Sequence, residues 1–220
     1  PDGATTKINE PGPHLSAEET AAMADRVAAF AASADWVVLS GSLPLGVPDT
    51  FYADLVARVH DLGRRVAVDA SGPALAAAVA AGPDLIKPNT EELAELTGGA
   101  LTTWGDVAKH AQSLRDSGLA TVLVSLGEDG ALLVDADGVR RATAPAVDVR
   151  STVGAGDSTL AGFLAAGAAG DQALRTAVAF GTAAVTLPGS AMPGPEDILP
   201  DLVTVEDDPD LSHQLKGGVA

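Results

Sequence analysis

The residues most plainly arranged for chemistry are the run Ser151-Thr-Val-Gly-Ala-Gly-Asp-Ser158. Gly154 and Gly156 let a backbone approach an anion closely, and the Ala- and Gly-rich stretch that follows reads as a helix. The amides of Gly154, Ala155 and Gly156 then stand at a helix N-terminus, where the dipole favours negative charge. A phosphoryl group in transfer spreads charge over its equatorial oxygens, and preset amides stabilise it there. Asp157 lies in the same first turn, a position where a carboxylate suits the dipole. As a hydrogen-bond acceptor it can orient a hydroxyl and take its proton late, once a loose transition state has formed. An isolated G-x-G-D is as readily an ordinary helix cap. The complete run favours a catalytic base at Asp157 and an anion hole at Gly154, Ala155 and Gly156.

Such a loop needs a scaffold, and the pattern on either side predicts one. Thr5–Asn9 has the character of a short strand, ended by Pro11-Gly-Pro13. Ser16-Ala-Glu-Glu19 is a capping-box pattern that opens an Ala-rich helix to about Ala32. Asp35–Ser40 is a continuous apolar run, read as a strand buried on both faces. Strands follow at Arg65–Asp69, Asp84–Lys87 and Thr121–Ser125. A hairpin is expected from Ala131–Asp135 and Val139–Thr143. Helices are expected over about Asp49–Leu62, Pro73–Ala81, from Asn89, over Trp104–Ser117, Ala155–Ala168 and Asp171–Thr186. Val147–Arg150 leads into the glycine loop, and the Pro- and Asp-rich tail after Pro193 is expected to pack loosely.

Strands alternating with helices predict an α/β fold with a doubly wound, mainly parallel sheet and helices on both faces. Ligands in such folds bind outside the carboxyl ends of the strands. The loops after Ser40, Asp69, Lys87, Ser125 and Arg150 are expected there together.

Composition bounds the partners. The chain has 220 residues, with 13 Lys and Arg against 30 Asp and Glu, a formal net charge of -17. Nucleic acid and anionic membrane both require a basic face, so neither is an expected partner. Aromatics are only 3% of residues, so the core must be built from Ala, Val and Leu. There is no Cys, which rules out disulfides and thiolate metal sites and fits a reducing cytoplasm.

Five segments in order resemble the PfkB (ribokinase-like) carbohydrate kinase family: Val38–Val47 with its Gly-Ser-Leu-Pro loop, Val68-Asp-Ala-Ser-Gly72, Ile86-Lys-Pro-Asn-Thr-Glu-Glu92, Val124-Ser-Leu-Gly-Glu-Asp-Gly130 and the Gly-Ala-Gly-Asp157 signature. Leu45 stands where the family pattern has a second Pro. The resemblance implies an ATP-dependent kinase whose acceptor is a sugar phosphate. It gives Ser42 a contact with the phosphate already on the sugar, where a bare turn hydroxyl is the plainer reading. It gives Lys87, Asn89, Ser125, Gly127, Gly130 and Gly189 nucleotide contacts. A Lys at a strand end is a mobile cation suited to phosphate. Asn89 and Glu92 form the N-x-x-E pattern that the family uses to organise Mg2+, largely through water. The same pair is also a capping box. Ala183–Gly189 corresponds to the loop beside adenine and, in several relatives, a monovalent cation such as K+.

The octapeptide Thr6-Lys-Ile-Asn-Glu-Pro-Gly-Pro13 resembles the branch that phosphorylates fructose 1-phosphate. Lys7 could add charge near that phosphate, though an exposed strand Lys is the plainer account. Tagatose 6-phosphate and fructose 6-phosphate are the alternative acceptors. Ribose, a nucleoside or a hydroxymethylpyrimidine are weaker ones. The resemblance leaves open a homodimer in the complete enzyme.

The family's first strand, its sugar-binding Asp, its G-G-x-x-x-N stretch and most of a small β-lid have no counterpart ahead of Pro1. Residues 1–13 are therefore expected to be a remnant of the lid, and residues 14–220 a single α/β core. The 220-residue chain alone is expected to be inactive and to self-associate. A non-catalytic fragment is the competing reading.

Overall fold

The computed structural model describes residues 12–219. The expected strand at Thr5–Asn9, Lys7 and most of the octapeptide and lid remnant lie outside the described residues.

The first helix, α1 (Ala17–Ala31), starts as its sequence predicts. The Glu19 N–H donates to Ser16 Oγ at 3.2 Å, and the Ser16 N–H donates to Glu19 Oε2 at 2.8 Å. Strand and helix then alternate: β1 (Trp36–Ser40), α2 (Phe51–Asp61), β2 (Arg65–Asp69), α3 (Gly72–Ala80), β3 (Leu85–Ile86) and α4 (Thr90–Thr97). A short strand β4 (Leu101–Thr103), unforeseen in the sequence, precedes α5 (Trp104–Asp116). Next come β5 (Thr121–Ser125), the hairpin β6 (Ala131–Asp135) and β7 (Gly138–Thr143), and the helices α6 (Ala155–Ala165) and α7 (Gly170–Val185).

The tail is a correction. It does not pack loosely: β8 (Thr204–Asp207) adds to the main sheet beside β7, and β9 (Gln214–Val219) pairs antiparallel with β4. The Pro and Asp residues of 193–201 made the segment read as loop throughout, but Val203 is buried and Val205 packs on the core.

Among the described residues the main sheet has seven strands in the order β1-β2-β3-β5-β6-β7-β8. The pairings from β1 to β5 are parallel, and those from β5 to β8 antiparallel. Helices cover both faces, and the period-2 alternation of the strands divides the core between them. Val66, Val68, Ile86, Val122 and Val124 pack with α1 to α5. Ala67, Leu85, Leu123 and Leu133 pack with Leu160 and Phe163 of α6 and Leu174 and Ala177 of α7. No described helix is long and apolar enough to cross a membrane.

Strand β1 is a second correction. Its expected burial on both faces does not hold: among the described residues it is an edge strand, with Val38 45% exposed. Val37 and Leu39 pack under the helices of one face. Val38 points with Trp36 to the opposite face, which carries only α6 and α7 in this core.

Because β6 runs antiparallel to both its neighbours, β7 points the same way as β5. The carboxyl ends of β1, β2, β3, β5 and β7 therefore share one edge of the sheet. Val147–Arg150 is not a strand, which corrects the expectation that Arg150 ends one. The chain leaves the ladder at Thr143 and crosses to α6 without joining a strand, its Arg150 N–H donating to Val185 O at 2.8 Å.

Candidate active site

At the shared edge, the loops are zipped to one another by the backbone. The Gly41 N–H donates to Asp69 O at 2.9 Å, the Lys87 N–H to Val68 O at 3.0 Å, and the Ser125 N–H to Pro88 O at 3.0 Å. Asn89 also bridges Ser125. Four of the sequence-predicted segments are thus brought side by side by the sheet itself.

Helix α6 delivers the fifth. Gly154 caps it in the left-handed region at φ 76°, a conformation that favours glycine. The Ser158 N–H donates to Gly154 O at 2.9 Å, which closes the first helical turn. The Ala155 N–H makes only a long turn bond, 3.4 Å to Thr152 O. The Gly156 and Asp157 amides occupy the first turn, where no helical acceptor precedes them. Helix α7 fixes this turn from behind. A Cβ on Gly181 would lie 2.3 Å from Thr159 Oγ1 and 3.5 Å from Ala155 O. Only the absence of that Cβ lets the two helices meet so close to the loop.

Asp157 is exposed at the edge, where the Ser40 hydroxyl donates to its Oδ1 at 3.2 Å. The Ser40 end of β1 is itself pinned: Tyr52 Oη of α2 donates to Ser40 O at 3.0 Å and to Gly41 O at 3.1 Å. Burial pushes the Tyr52 pKa up, which keeps it a donor. Ser42 is exposed two residues further on, in the loop leading to α2.

Lys87 departs from expectation. It is not a mobile cation; it is 4% exposed and ion-paired, with Nζ 3.1 Å from Asp69 Oδ1. A Cβ on Gly156 would lie 3.1 Å from the same Nζ. The pair is therefore buried against the backbone of the anion loop, and its positive end faces Gly156. Burial pushes the Asp69 pKa up; Lys87 opposes that shift, and the charge of Asp157 adds to it. Asp69 and Ser40 are the residues that sequence reasoning left without a role. Asp69 stood at a strand end inside a quoted motif, which was a usable signal. Nothing in a separation of 117 residues could pair Ser40 with Asp157.

Asn89 and Glu92 form the expected capping box of α4. The Glu92 N–H donates to Asn89 Oδ1 at 2.8 Å, and the Asn89 N–H donates to Glu92 Oε2 at 2.9 Å. Burial pushes the Glu92 pKa up, against the Asn89 amide and Lys87. Among the described residues no three His, Asp or Glu side chains make a preformed metal cage. Asn89 and Glu92 offer oxygen donors of the kind that Mg2+ takes, one or two at a time beside phosphates and waters. Of the positions expected to contact a nucleotide, Gly127 at φ 58° and Gly130 at φ 87° shape the turn after β5, and Gly189 at φ 61° lies beyond α7. A cleft of about 310 Å³ opens nearby, lined by Ala144, Val147, Ala179, Thr182, Ala183 and Thr186.

The model of the pfkB family carbohydrate kinases matches residues 2–197. A 1-phosphofructokinase of Rhodobacter capsulatus is 40% identical over 195 residues, covering 87% of this chain and 62% of that protein. A 1-phosphofructokinase of Escherichia coli K12 is 38% identical over 163 residues, covering 74% of this chain and 52% of that protein. The chain thus spans between half and two thirds of the length of these relatives. Among solved structures, phosphofructokinase-2 from Escherichia coli in complex with potassium superposes with a TM-score of 0.81 at 37% identity, covering 87% of this chain and 63% of that one.

Proposed function

The chain belongs to the pfkB family of carbohydrate kinases, and from that premise we propose that it carries the nucleotide and phosphoryl-transfer site of an ATP-dependent kinase that converts fructose 1-phosphate to fructose 1,6-bisphosphate. The observation that carries the reading is the meeting of Asp157 with the Ser40 hydroxyl, beside a glycine loop backed by Lys87.

In this reading Asp157 accepts a hydrogen bond from the sugar hydroxyl and takes its proton as the oxygen reaches phosphorus. The Gly156 and Asp157 amides and the start of α6 stabilise charge on the transferring group. Lys87 supports the same charge from below the loop, through its contact with Gly156 rather than by reaching out. Ser42 binds the phosphate that the sugar already carries. The turn Ser125, Gly127, Gly130 and the loop at Gly189 hold the nucleotide, with adenine in the cleft beside Ala183 and Thr186. Mg2+, when bound, offsets phosphate charge, and Asn89 and Glu92 would hold it through water. A monovalent cation near Ala183–Gly189 and a homodimer of the enzyme belong to the same proposal, as does a cytoplasmic location.

Similarity to a phosphofructokinase-2 solved in complex with fructose-6-phosphate supports a second acceptor, fructose 6-phosphate. One experiment separates them: turnover of the complete enzyme with ATP and Mg2+ across fructose 1-phosphate, fructose 6-phosphate, tagatose 6-phosphate and unphosphorylated fructose, ranked by kcat/KM. Fructose 1-phosphate is expected to rank first. Preference for an unphosphorylated sugar would remove the role given to Ser42.

A further inference from the structure

The turn after β5 is tied down by a strand far from it in sequence. The turn closes on itself, with the Asp129 N–H donating to Leu126 O at 3.1 Å and the Leu126 N–H to Gly130 O at 2.8 Å. Its side chain at Asp129 is only 3% exposed. A carboxylate that deep requires hydrogen-bond partners. The structure supplies one from 87 residues away: the Lys216 N–H of β9 donates to Asp129 Oδ2 at 2.9 Å. Lys216 Nζ adds contacts of 3.1 Å to Glu128 Oε2 and 3.9 Å to Asp129 Oδ1.

Strand β9 is in turn anchored to β4 and the start of α5. Leu101 pairs with Val219 and Thr103 with Gln214. The Trp104 N–H donates to His213 O at 3.0 Å, and the Gly105 N–H to Leu211 O at 2.8 Å. The Trp104 and His213 rings stack with centroids 4.2 Å apart, and the Arg141 guanidinium lies 3.2 Å from the Trp104 ring centre. Residues 211–219 thus connect the start of α5 and the sheet to the turn. All of them lie beyond residue 197, where the family match ends.

We propose that β9 is a clasp on this turn and that Asp129 is the positioning residue through which it acts. The inference rests on the nucleotide role given to Ser125, Gly127 and Gly130. With the clasp closed, the turn is presented in one conformation and ATP binding does not have to order it. The bond that matters is from the Lys216 backbone, so the variants separate. Lys216→Pro removes the donor, Lys216→Ala keeps it, and Asp129→Asn keeps the side-chain volume while removing the charge.

The test combines amide hydrogen exchange of the full chain with calorimetric titration of MgATP. In Lys216→Pro, exchange over Ser125–Gly130 is expected to quicken and the ATP dissociation constant to rise by about tenfold, the scale of one hydrogen bond to a charged group. Exchange in α6 should stay as in the wild type. Lys216→Ala should show only a small part of either effect. If Lys216→Pro also loosens α6, Asp129→Asn decides in its place by the same two readings. Unchanged exchange in the turn overturns the clasp. So does loosened exchange with unchanged affinity in a chain that binds ATP. Wild-type chain that binds no ATP overturns the nucleotide reading instead, and the exchange data still decide whether the clasp exists.

Discussion

Lys87 Nζ lies 3.1 Å from Asp69 Oδ1, and the pair lies beside Gly156 of the glycine loop, where a Cβ would come within 3.1 Å of the same Nζ. Each charge is buried and depends on the other. Asp69→Ala strands a buried ammonium and is expected to cost about 3–5 kcal/mol in chemical denaturation, whereas Asp69→Asn with Lys87→Met should recover most of it. The double variant should still lack phosphoryl transfer. A double variant no more stable than Asp69→Ala would show that the pair is not the cause. Gly156→Ala places a methyl 3.1 Å from Lys87 Nζ and should disturb the same pair.

Asp157 and its hydroxyl partner Ser40 have separable signatures. In the complete enzyme, Asp157→Asn should lower kcat with ATP and fructose 1-phosphate by at least about a hundredfold, the low end for removal of a general base. ATP affinity should stay nearly intact. Ser40→Ala deletes the 3.2 Å bond to Asp157 Oδ1. The expected cost is roughly fivefold in kcat, about 1 kcal/mol, with Ser40→Thr restoring most of it. Steady-state kinetics decide both, and retention of most of the wild-type kcat in Asp157→Asn would remove the residue from its role.

Helix propensity alone gives the wrong sign at Gly162. An exposed helical Gly→Ala would stabilise by about 1 kcal/mol. Here a Cβ would meet Thr176 O at 2.8 Å and Phe180 Cβ at 2.9 Å, because α6 and α7 touch at this point. Gly162→Ala should instead destabilise by about 1–3 kcal/mol, the cost of overpacking. A melting temperature at or above wild type would refute the close contact.

Asp106 sets a pH dependence of stability. Its Oδ2 accepts from the Thr102 N–H at 2.9 Å, the Thr102 hydroxyl at 2.8 Å and the Thr103 N–H at 2.9 Å. These bonds, the Thr102 amide first, hold its pKa well below the usual carboxylate range. A depressed folded-state pKa stabilises the fold above the unfolded value and ceases to do so as pH falls toward the folded one. Asp106→Ala should therefore cost about 0.5–1 kcal/mol at neutral pH, a capping-scale loss at a solvent-screened site. The gap to wild type should close as pH drops below about 3.9. A gap independent of pH in thermal melts would contradict this origin.

The sequence by itself determined the elements from α1 to α7 apart from β4, and which residues crowd one edge of the sheet. Local signals were enough for that. Ser16 with Glu19, and Asn89 with Glu92, cap their helices as their spacing says. The β2 and β5 runs are buried on both faces because helices cover both. The eight-residue glycine run starts a helix with Gly154 in the left-handed region, as its composition requires. Other features depended on which elements became neighbours, and only the tertiary structure decided them. Strand β1 has an exposed face because it lies at the sheet edge, and an apolar run is the same string at an edge or in the middle. Lys87 is a buried partner of Asp69 because β2 and β3 are adjacent and α6 closes over them. The tail became two strands because β7 and β4 offered free edges to a segment with little strand propensity of its own. Contacts such as Ser40 with Asp157 and Asp129 with Lys216 join residues 117 and 87 positions apart. No periodicity reaches that far, so such pairs become visible only when the sheet order is known.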